Sequence, residues 1–320
     1  MQKTDENQND KFYKEVVEGL GSPQKYLQPK YFYDKTGDVL FQQIMAMPEY
    51  YLTRCELDIF KNKTAGLAKA ITAPGGAFDL IELGAGDATK SSYLLEYLVE
   101  QQTDFTYMPI DISGNILTVL DENLKAKMPQ LDIVCLEGEY FDMLGKAAAL
   151  SPRRKVVMFL GANIGNMELE EAHNFCHDLY RNLNPGDLLF IGFDLKKHPD
   201  TILQAYNDKA GITSKFNLNL LTRINRELGG DFNLEDFEHY QMYDPQTGAC
   251  KSFLVSLREQ EVSIGDKTVH FKKDETVFME ISQKFSEAEI ALIAEETGFK
   301  ALQTFTDDKG WFMDAVWEVV

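Results

Sequence analysis

The sequence predicts an α/β protein built on a doubly wound parallel sheet with an inserted α+β lobe. Five short apolar runs, at Phe78–Glu82, Phe105–Ile110, Asp132–Leu136, Val156–Leu160 and Leu188–Phe193, follow one another with helical segments and short connections between them. That alternation is the pattern of parallel strands joined by crossover helices. The first run leads through Leu83 into Gly84, Ala85 and Gly86, with a helical pattern opening near Thr89. A strand, a glycine turn and a helix N-terminus let a ligand approach the backbone closely, so this turn is the predicted cofactor site. After Asp194 the alternation stops and a different pattern begins.

Taken in order, the first eleven residues, MQKTDENQNDK, are polar and expected to fray. Phe12 to Phe60 reads as irregular helix rich in aromatic residues. Within it Asp34–Gly37 forms a turn, and Val39, Leu40, Ile44 and Met47 supply an apolar face that ends at Pro48. A helix over Leu57–Ile71 and a loop at Ala73–Ala77 precede the first strand. Between and after the strands, helices are predicted over Lys90–Val99, Asn115–Lys127 and Glu168–Leu183.

The lobe opens with helices over Pro199–Asp208 and Leu218–Leu228. Alternating segments follow from Phe237 to Lys284, with turns at Asp244–Gly248 and Gly265–Asp266. Ser286 with Glu289 three residues on makes a capping box for a helix to about Thr297, and two last strands flank Gly310. The domain division read from this is an N-terminal helical segment over 1–56, a cofactor domain over 57–195 and 286–320, and an inserted lobe over 196–285.

Composition narrows the partners. With 32 basic and 51 acidic residues among 320, the formal charge is -19. Such a polyanion is repelled by a phosphate backbone or an anionic leaflet, and no basic stripe overrides that, so neither nucleic acid nor membrane is expected. No apolar run reaches the roughly 18–20 residues of a bilayer span. Cys55, Cys135, Cys176 and Cys250 are widely spaced without a CxxC pair, which fits a reduced cytoplasmic protein without a disulfide framework. A monomer acting on a small molecule is expected.

A dinucleotide fingerprint would place a third glycine where Thr89 stands. Asp111 ends the second strand, 27 residues after Gly84, where a carboxylate can accept from both hydroxyls of a ribose. Glu82, just before the turn, adds negative charge where a pyrophosphate would lie. A cationic cofactor with a ribose and no phosphates, S-adenosylmethionine, suits the site better. A second concentration, FLGANIGNM over Phe159–Met167, ends the fourth strand and presents Asn163 and Asn166. An amide carbonyl can hold an amine without adding charge, although an Asn in such a loop can equally serve turn geometry. His173 and His177 stand at helical i, i+4 spacing around Cys176, but no third ligand set is visible and no metal is expected.

Further segments carry a resemblance: YFYDKTGDVLF with MPEYYLTR, IELGAGDATKS, PIDIS, FLGANIGN, DLKKHPDTILQAYND with FNLNLLTRINRELGGDF, and MEISQKF. In order from Tyr31 to Phe285, they make the chain resemble the histidine-specific Nα-methyltransferases of ergothioneine biosynthesis, which convert histidine to its trimethyl betaine, hercynine. The resemblance implies a Rossmann-like class I methyltransferase sheet with an inserted substrate lobe, and S-adenosyl-L-methionine as cofactor. It puts the cofactor contacts on Gly84, Gly86, Lys90 and Asp111, with Glu139 and Tyr140 near the adenine. It puts the amino-acid site on Tyr33, Tyr50, Asn166, Tyr206, Glu280 and Ser282: the Asn on the amine, the lobe Tyr on the carboxylate, the Glu and Ser on the imidazole.

Strand alternation gives Glu280 and Ser282 one face, and their groups suit the two imidazole nitrogens. Tyr33 is the candidate to take the amine proton, with solvent as the alternative. Leu52 replaces a family proline, and Ser252 replaces a family methionine near the imidazole. The competing expectations are Nα-methylation of another amino acid such as tryptophan, and a non-catalytic binding protein.

Overall fold

The computed structural model describes residues 2–320, with side chains from residue 9 onward. The chain forms two compact units, one of residues 1–51 and 197–282 and the other of residues 52–196 and 283–320.

The first unit opens with α1 (Gln2–Gly21) and, after a 3-10 turn at Pro29–Phe32, α2 (Lys35–Ala46). Of the residues expected to fray, Met1 lies outside the described residues and the backbone from Gln2 belongs to α1. Phe12, Val16 and Leu20, each four apart, give α1 its buried stripe. Asp34 caps α2 by accepting from the Gly37 N–H at 2.7 Å. Ile44 and Met47 are buried as expected, but Val39 is 54% exposed. Five residues before Ile44, it lies off the helix face that Ile44 shares with Leu40.

The second unit runs through α3 (Leu52–Asn62), α4 (Thr64–Thr72), β1 (Phe78–Leu83), α5 (Ser91–Glu100), β2 (Phe105–Asp111) and α6 (Gly114–Lys127). It continues with β3 (Leu136–Glu137), α7 (Tyr140–Leu150), β4 (Arg154–Phe159), α8 (Leu169–Arg181) and β5 (Leu188–Asp194). The single helix expected over Leu57–Ile71 is two, because Lys63 adopts φ -122 and ψ 14 at the start of α4. Its ammonium is held by the Thr306 carbonyl. The third strand is shorter than predicted; Ile133 makes only an isolated bridge to Tyr107. The helix α7 was not anticipated.

The chain then returns to the first unit for α9 (Pro199–Tyr206), α10 (Ile212–Leu228), β6 (Phe237–Tyr243), β7 (Ala249–Ser256), β8 (Gln260–Ile264), β9 (Lys267–Phe271) and β10 (Thr276–Gln283). Here β10, β7 and β6 form one sheet, while β8 and β9 form a hairpin. The lobe core gathers Phe216, Leu220, Leu254, Phe271 and Met279, with Phe12 and Phe32 from the N-terminal segment.

The chain closes in the second unit with α11 (Glu287–Glu296), β11 (Phe299–Thr306) and β12 (Phe312–Val319). The Ser286–Glu289 capping box is present at α11. The seven strands lie in the order β11-β12-β5-β4-β1-β2-β3. From β3 to β5 the neighbours are parallel. The last two strands depart from the all-parallel expectation: β12 is antiparallel to both β5 and β11. The short turn between β11 and β12 leaves no room for a crossover, so only an antiparallel pair can form. Chain order reverses at β1, which pairs with β2 on one side and β4 on the other. Ligands of such sheets sit outside the carboxyl ends of the strands at that reversal.

Candidate active site

In the second unit the carboxyl ends of β1, β2 and β3 bring together most of the residues predicted to hold the cofactor. Gly84 and Gly86 adopt φ +70 and +54. A Cβ on Gly84 would stand 2.8 Å from the Tyr140 hydroxyl, whereas at Gly86 it would enter open space. The first glycine is therefore fixed by close packing as well as by its backbone, and the second leaves room for a ligand. The Asp111 carboxylate accepts from Ser113 N at 2.9 Å and, more weakly, from Gly86 N at 3.4 Å. Both oxygens keep acceptor capacity for hydroxyl donors.

Glu139 is exposed at the N-cap of α7, and Tyr140 follows it. Burial, then Asp111 and Glu139, raise the Tyr140 phenol pKa, so that hydroxyl stays protonated. Tyr140 also packs edge-on against Phe159, 5.9 Å between centroids, at the end of β4.

Glu82 behaves differently from its expected role. It is 4% exposed and accepts from the Tyr107 hydroxyl at 2.5 Å. Burial pushes its pKa up to about 7, against the opposing pull of Tyr107, Ser91 and Lys90. A carboxyl that keeps much of its proton near neutrality repels a pyrophosphate less than a full anion, which weakens that part of the sequence argument.

Lys90 ends the same turn and forms an ion pair with Glu56 of α3. Burial works against its ammonium, but the charge and hydrogen bond of Glu56 prevail and its pKa is raised. Glu56, 1% exposed, was missed by the sequence reading. Its one signal was an acid among Cys55, Ile59 and Phe60 on an apolar helix face.

The FLGANIGNM segment turns sharply at the end of β4. Gly161 and Ala162 are left-handed at φ +80 and +55, and Asn163–Asn166 form a 3-10 turn. A Cβ on Gly165 would meet the Gln283 carbonyl at 2.7 Å, so only glycine fits there. Asn166 is exposed, and its amide makes no hydrogen bond among the described residues. The turn is held by backbone bonds such as Gly165 N to Ala162 O at 2.8 Å, without help from that side chain.

The first unit holds the other predicted amino-acid contacts. Tyr206 is buried at the end of α9, with its hydroxyl 2.7 Å from the Ser282 hydroxyl and its ring edge-on to Tyr50 at 6.0 Å. Glu280 and Ser282 are both half-buried, two residues apart on β10. Tyr33, 49% exposed, packs edge-on to Phe41 and Phe216 at 5.5 and 5.8 Å. Lost hydration, then the charges of Glu280 and Asp38, drive its phenol pKa upward. The phenol therefore stays protonated at neutral pH, which disfavours it as the acceptor of an amine proton.

Ser252 is 1% exposed and bonded to His239 and Asn217 within the lobe. His173 lies 3.5 Å from Glu296. Among the described residues no group of three or more His, Cys, Asp or Glu could hold a metal ion. All four cysteines are free, and no described helix is long and apolar enough to cross a membrane.

Residues 12–319 match the profile of the family described as histidine-specific methyltransferase, SAM-dependent. The chain belongs to that family. The histidine N-alpha-methyltransferase of Mycolicibacterium smegmatis is 34% identical, across 93% of this chain and 92% of that one. Its namesake in Mycobacterium tuberculosis is 32% identical with the same coverage. The L-tryptophan methyltransferase of Psilocybe serbica is 26% identical over 93% of this chain and 90% of its own. Among solved structures, magnesium protoporphyrin IX methyltransferase from Synechocystis PCC 6803 aligns with a TM-score of 0.45 at 13% identity, covering 91% of this chain and 96% of that one.

The cofactor of this methyltransferase family is S-adenosylmethionine. The residues at the carboxyl ends of β1 and β2 fit it. Gly86 opens onto free space, and Asp111 offers unsaturated acceptors to a ribose.

Proposed function

We propose that this methyltransferase transfers methyl groups from S-adenosylmethionine to the α-nitrogen of L-histidine, repeatedly, to the trimethyl betaine hercynine. The observation that carries the choice of amino acid is the pair Glu280 and Ser282. They are half-buried on one face of β10, with Ser282 held by the Tyr206 hydroxyl. In this reading Glu280 accepts from one imidazole N–H and Ser282 serves the other nitrogen. Tyr206 and Tyr50 frame the carboxylate end, and Tyr33 closes the site around the amine.

The second unit serves as the cofactor domain and the first as the amino-acid-binding unit. Gly84 and Gly86 admit the cofactor to the backbone, Asp111 accepts from its ribose, and Glu139 and Tyr140 flank the adenine. When bound, the cofactor supplies a sulfonium methyl open to in-line attack. The Asn166 carbonyl accepts from the substrate amine and aims its lone pair, without a charge that would favour the ammonium form. Orientation of this kind lowers a barrier by up to about 7–11 kcal/mol in favourable cases. The proton lost at each transfer goes to solvent, since Tyr33 resists ionisation. Its ring instead favours the growing ammonium charge through cation–π attraction.

A charge of -19 fits a small-molecule enzyme free of nucleic acid, and we infer a cytoplasmic monomer. Mass spectrometry of reactions with S-adenosylmethionine and each of the twenty amino acids separately tests the reading. Gains of up to three methyls on histidine alone are expected. Methylation of tryptophan or another amino acid instead would overturn the substrate assignment, and no methylation of any would leave a binding protein.

A further inference from the structure

Tyr33 stands at the centre of a sharp bend. Its backbone, at φ -88 and ψ 77, and the bond from Asp34 N to Phe32 O at 3.1 Å make an inverse γ-turn. A single backbone hydrogen bond contributes too little to hold such a turn by itself. The residues on either side of Tyr33 are held by α10, along a polar stripe of Asn219, Arg223 and Arg226 at i, i+4 and i+7. Arg223 Nη1 donates to the Tyr31 carbonyl at 3.1 Å. Asn219 Nδ2 and Arg226 Nη2 donate to the Asp34 carboxylate at 2.9 and 2.7 Å.

Asp34 thus does more than cap α2. The oxygen that accepts from Gly37 N also takes Asn219, and the other takes Arg226. Burial works against this carboxylate, but the Gly37 N–H, then Arg226 and Asn219, prevail and its pKa is lowered. A Cβ on Gly37 would stand 1.8 Å from the Phe32 carbonyl oxygen, so only glycine lets α2 start this close to the bend. One side chain therefore joins α2 to α10, and these are the helices whose Phe41 and Phe216 meet the Tyr33 ring. Because Tyr33 is half exposed, its direction depends on those ring contacts and on the backbone that Asp34 fixes.

We propose that Asp34 is a positioning residue for methyl transfer, coupling α2 to the polar stripe of α10 so that the Tyr33 ring is aimed at the amino-acid site. It rests on the reading in which Tyr33 closes that site.

The test is a double-mutant cycle on the full chain with Asp34→Ala, Tyr33→Ala and the double variant. Turnover of L-histidine at saturating S-adenosylmethionine is read by product mass, cofactor Kd by calorimetry, and stability by thermal unfolding. Asp34→Ala is expected to lower turnover by roughly 10²-fold, the cost of a small misplacement around the reacting groups, with Kd within about threefold of wild type. In the Tyr33→Ala background the same substitution should change turnover by less than about threefold, while lowering the melting temperature as much as it does in wild type.

Asp34→Asn keeps an oxygen for Gly37 and Asn219 and loses the charge that holds Arg226, so it preserves the cap and should recover about tenfold of the lost turnover. Should the alanine variant fail to fold, the cycle run with Asp34→Asn is expected to show a smaller loss that again vanishes without Tyr33. Turnover losses that multiply between the two sites would show Asp34 acting on the fold and not through Tyr33, and overturn the proposal. Wild-type turnover in Asp34→Ala, with only the melting temperature lowered, would overturn it as well. Wild-type turnover in Tyr33→Ala is a distinct result, striking the reading of Tyr33 itself and the proposal with it.

Discussion

The Ser252 hydroxyl donates to Asn217 Oδ1 at 3.0 Å, joining β7 to α10 inside the lobe. With its hydrogen spent there, the same oxygen, 2.8 Å from His239 Nε2, accepts from that ring as a neutral N–H donor. Asn217 is fixed in turn by donating to the Thr213 carbonyl at 3.1 Å. Ser252→Met, which restores the residue of the resembling family, would leave an N–H and a carbonyl unpartnered in the lobe. Loss of about 1–3 kcal/mol in urea unfolding is expected. An unchanged midpoint would mean that His239 and Asn217 find other partners.

Asp111→Ala removes a carboxylate bonded to the glycine turn through Gly86 N. Calorimetry should show S-adenosylmethionine affinity reduced by about 3–6 kcal/mol, the cost of losing two hydrogen bonds to a charged group. Wild-type affinity in this variant would exclude the ribose role.

Asn166→Ala should leave cofactor affinity within about twofold while turnover falls by about 10²-fold, because a misaligned nucleophile loses its orientation. Its exposed amide is not part of the turn's hydrogen bonding, so the fold should tolerate the change. Equal losses in binding, turnover and melting temperature would point to misfolding.

Glu280→Ala should raise the histidine requirement by about 1–3 kcal/mol in kcat/KM, since a desolvated imidazole N–H loses its acceptor. The same change removes the charge that helps raise the Tyr33 phenol pKa, so Tyr33 should titrate at lower pH in the variant. A phenol titration seen by ultraviolet difference that does not move would separate the two side chains. Unchanged histidine kinetics would remove Glu280 from the amino-acid site.

The fold was legible wherever local pattern and tertiary environment agree. Phe78–Leu83 is buried along its whole length and reads as an unbroken apolar strand apart from Asp79 and Glu82, and the capping box at Ser286 needs only residues three apart. Lys63 was not legible as a break, because a carbonyl 243 residues away holds its side chain and nothing local opposes helix there. The third strand was overextended because Ile133–Leu136 is a continuous apolar run, while pairing with β2 is limited to Leu136 and Glu137 beyond the bridge at Ile133. In the site, Asp111 follows from its position at a strand end. Glu56 does not, since its partners Lys90 and Gly161 lie 34 and 105 residues away.

Two groups give the fold opposite responses to pH over nearly the same range. Glu82, raised by burial to about 7 from an ordinary 4.5, holds its proton in the native state after the unfolded chain has lost it. The native state then binds more protons, so this group's contribution to stability falls as pH rises from about 4.5 to 7. His239, lowered by burial to about 4 from 6.5, binds fewer protons in the native state, so its contribution rises with pH from about 4 to 6.5. Each effect is of order 3 kcal/mol, and together they nearly cancel. Glu82→Gln keeps an oxygen for the Tyr107 hydroxyl and removes only the first. Relative to wild type, its unfolding free energy should therefore gain about 3 kcal/mol between about pH 4.5 and pH 7.5. Parallel stability curves for the two proteins across that range would show that Glu82 titrates alike in the folded and unfolded chain.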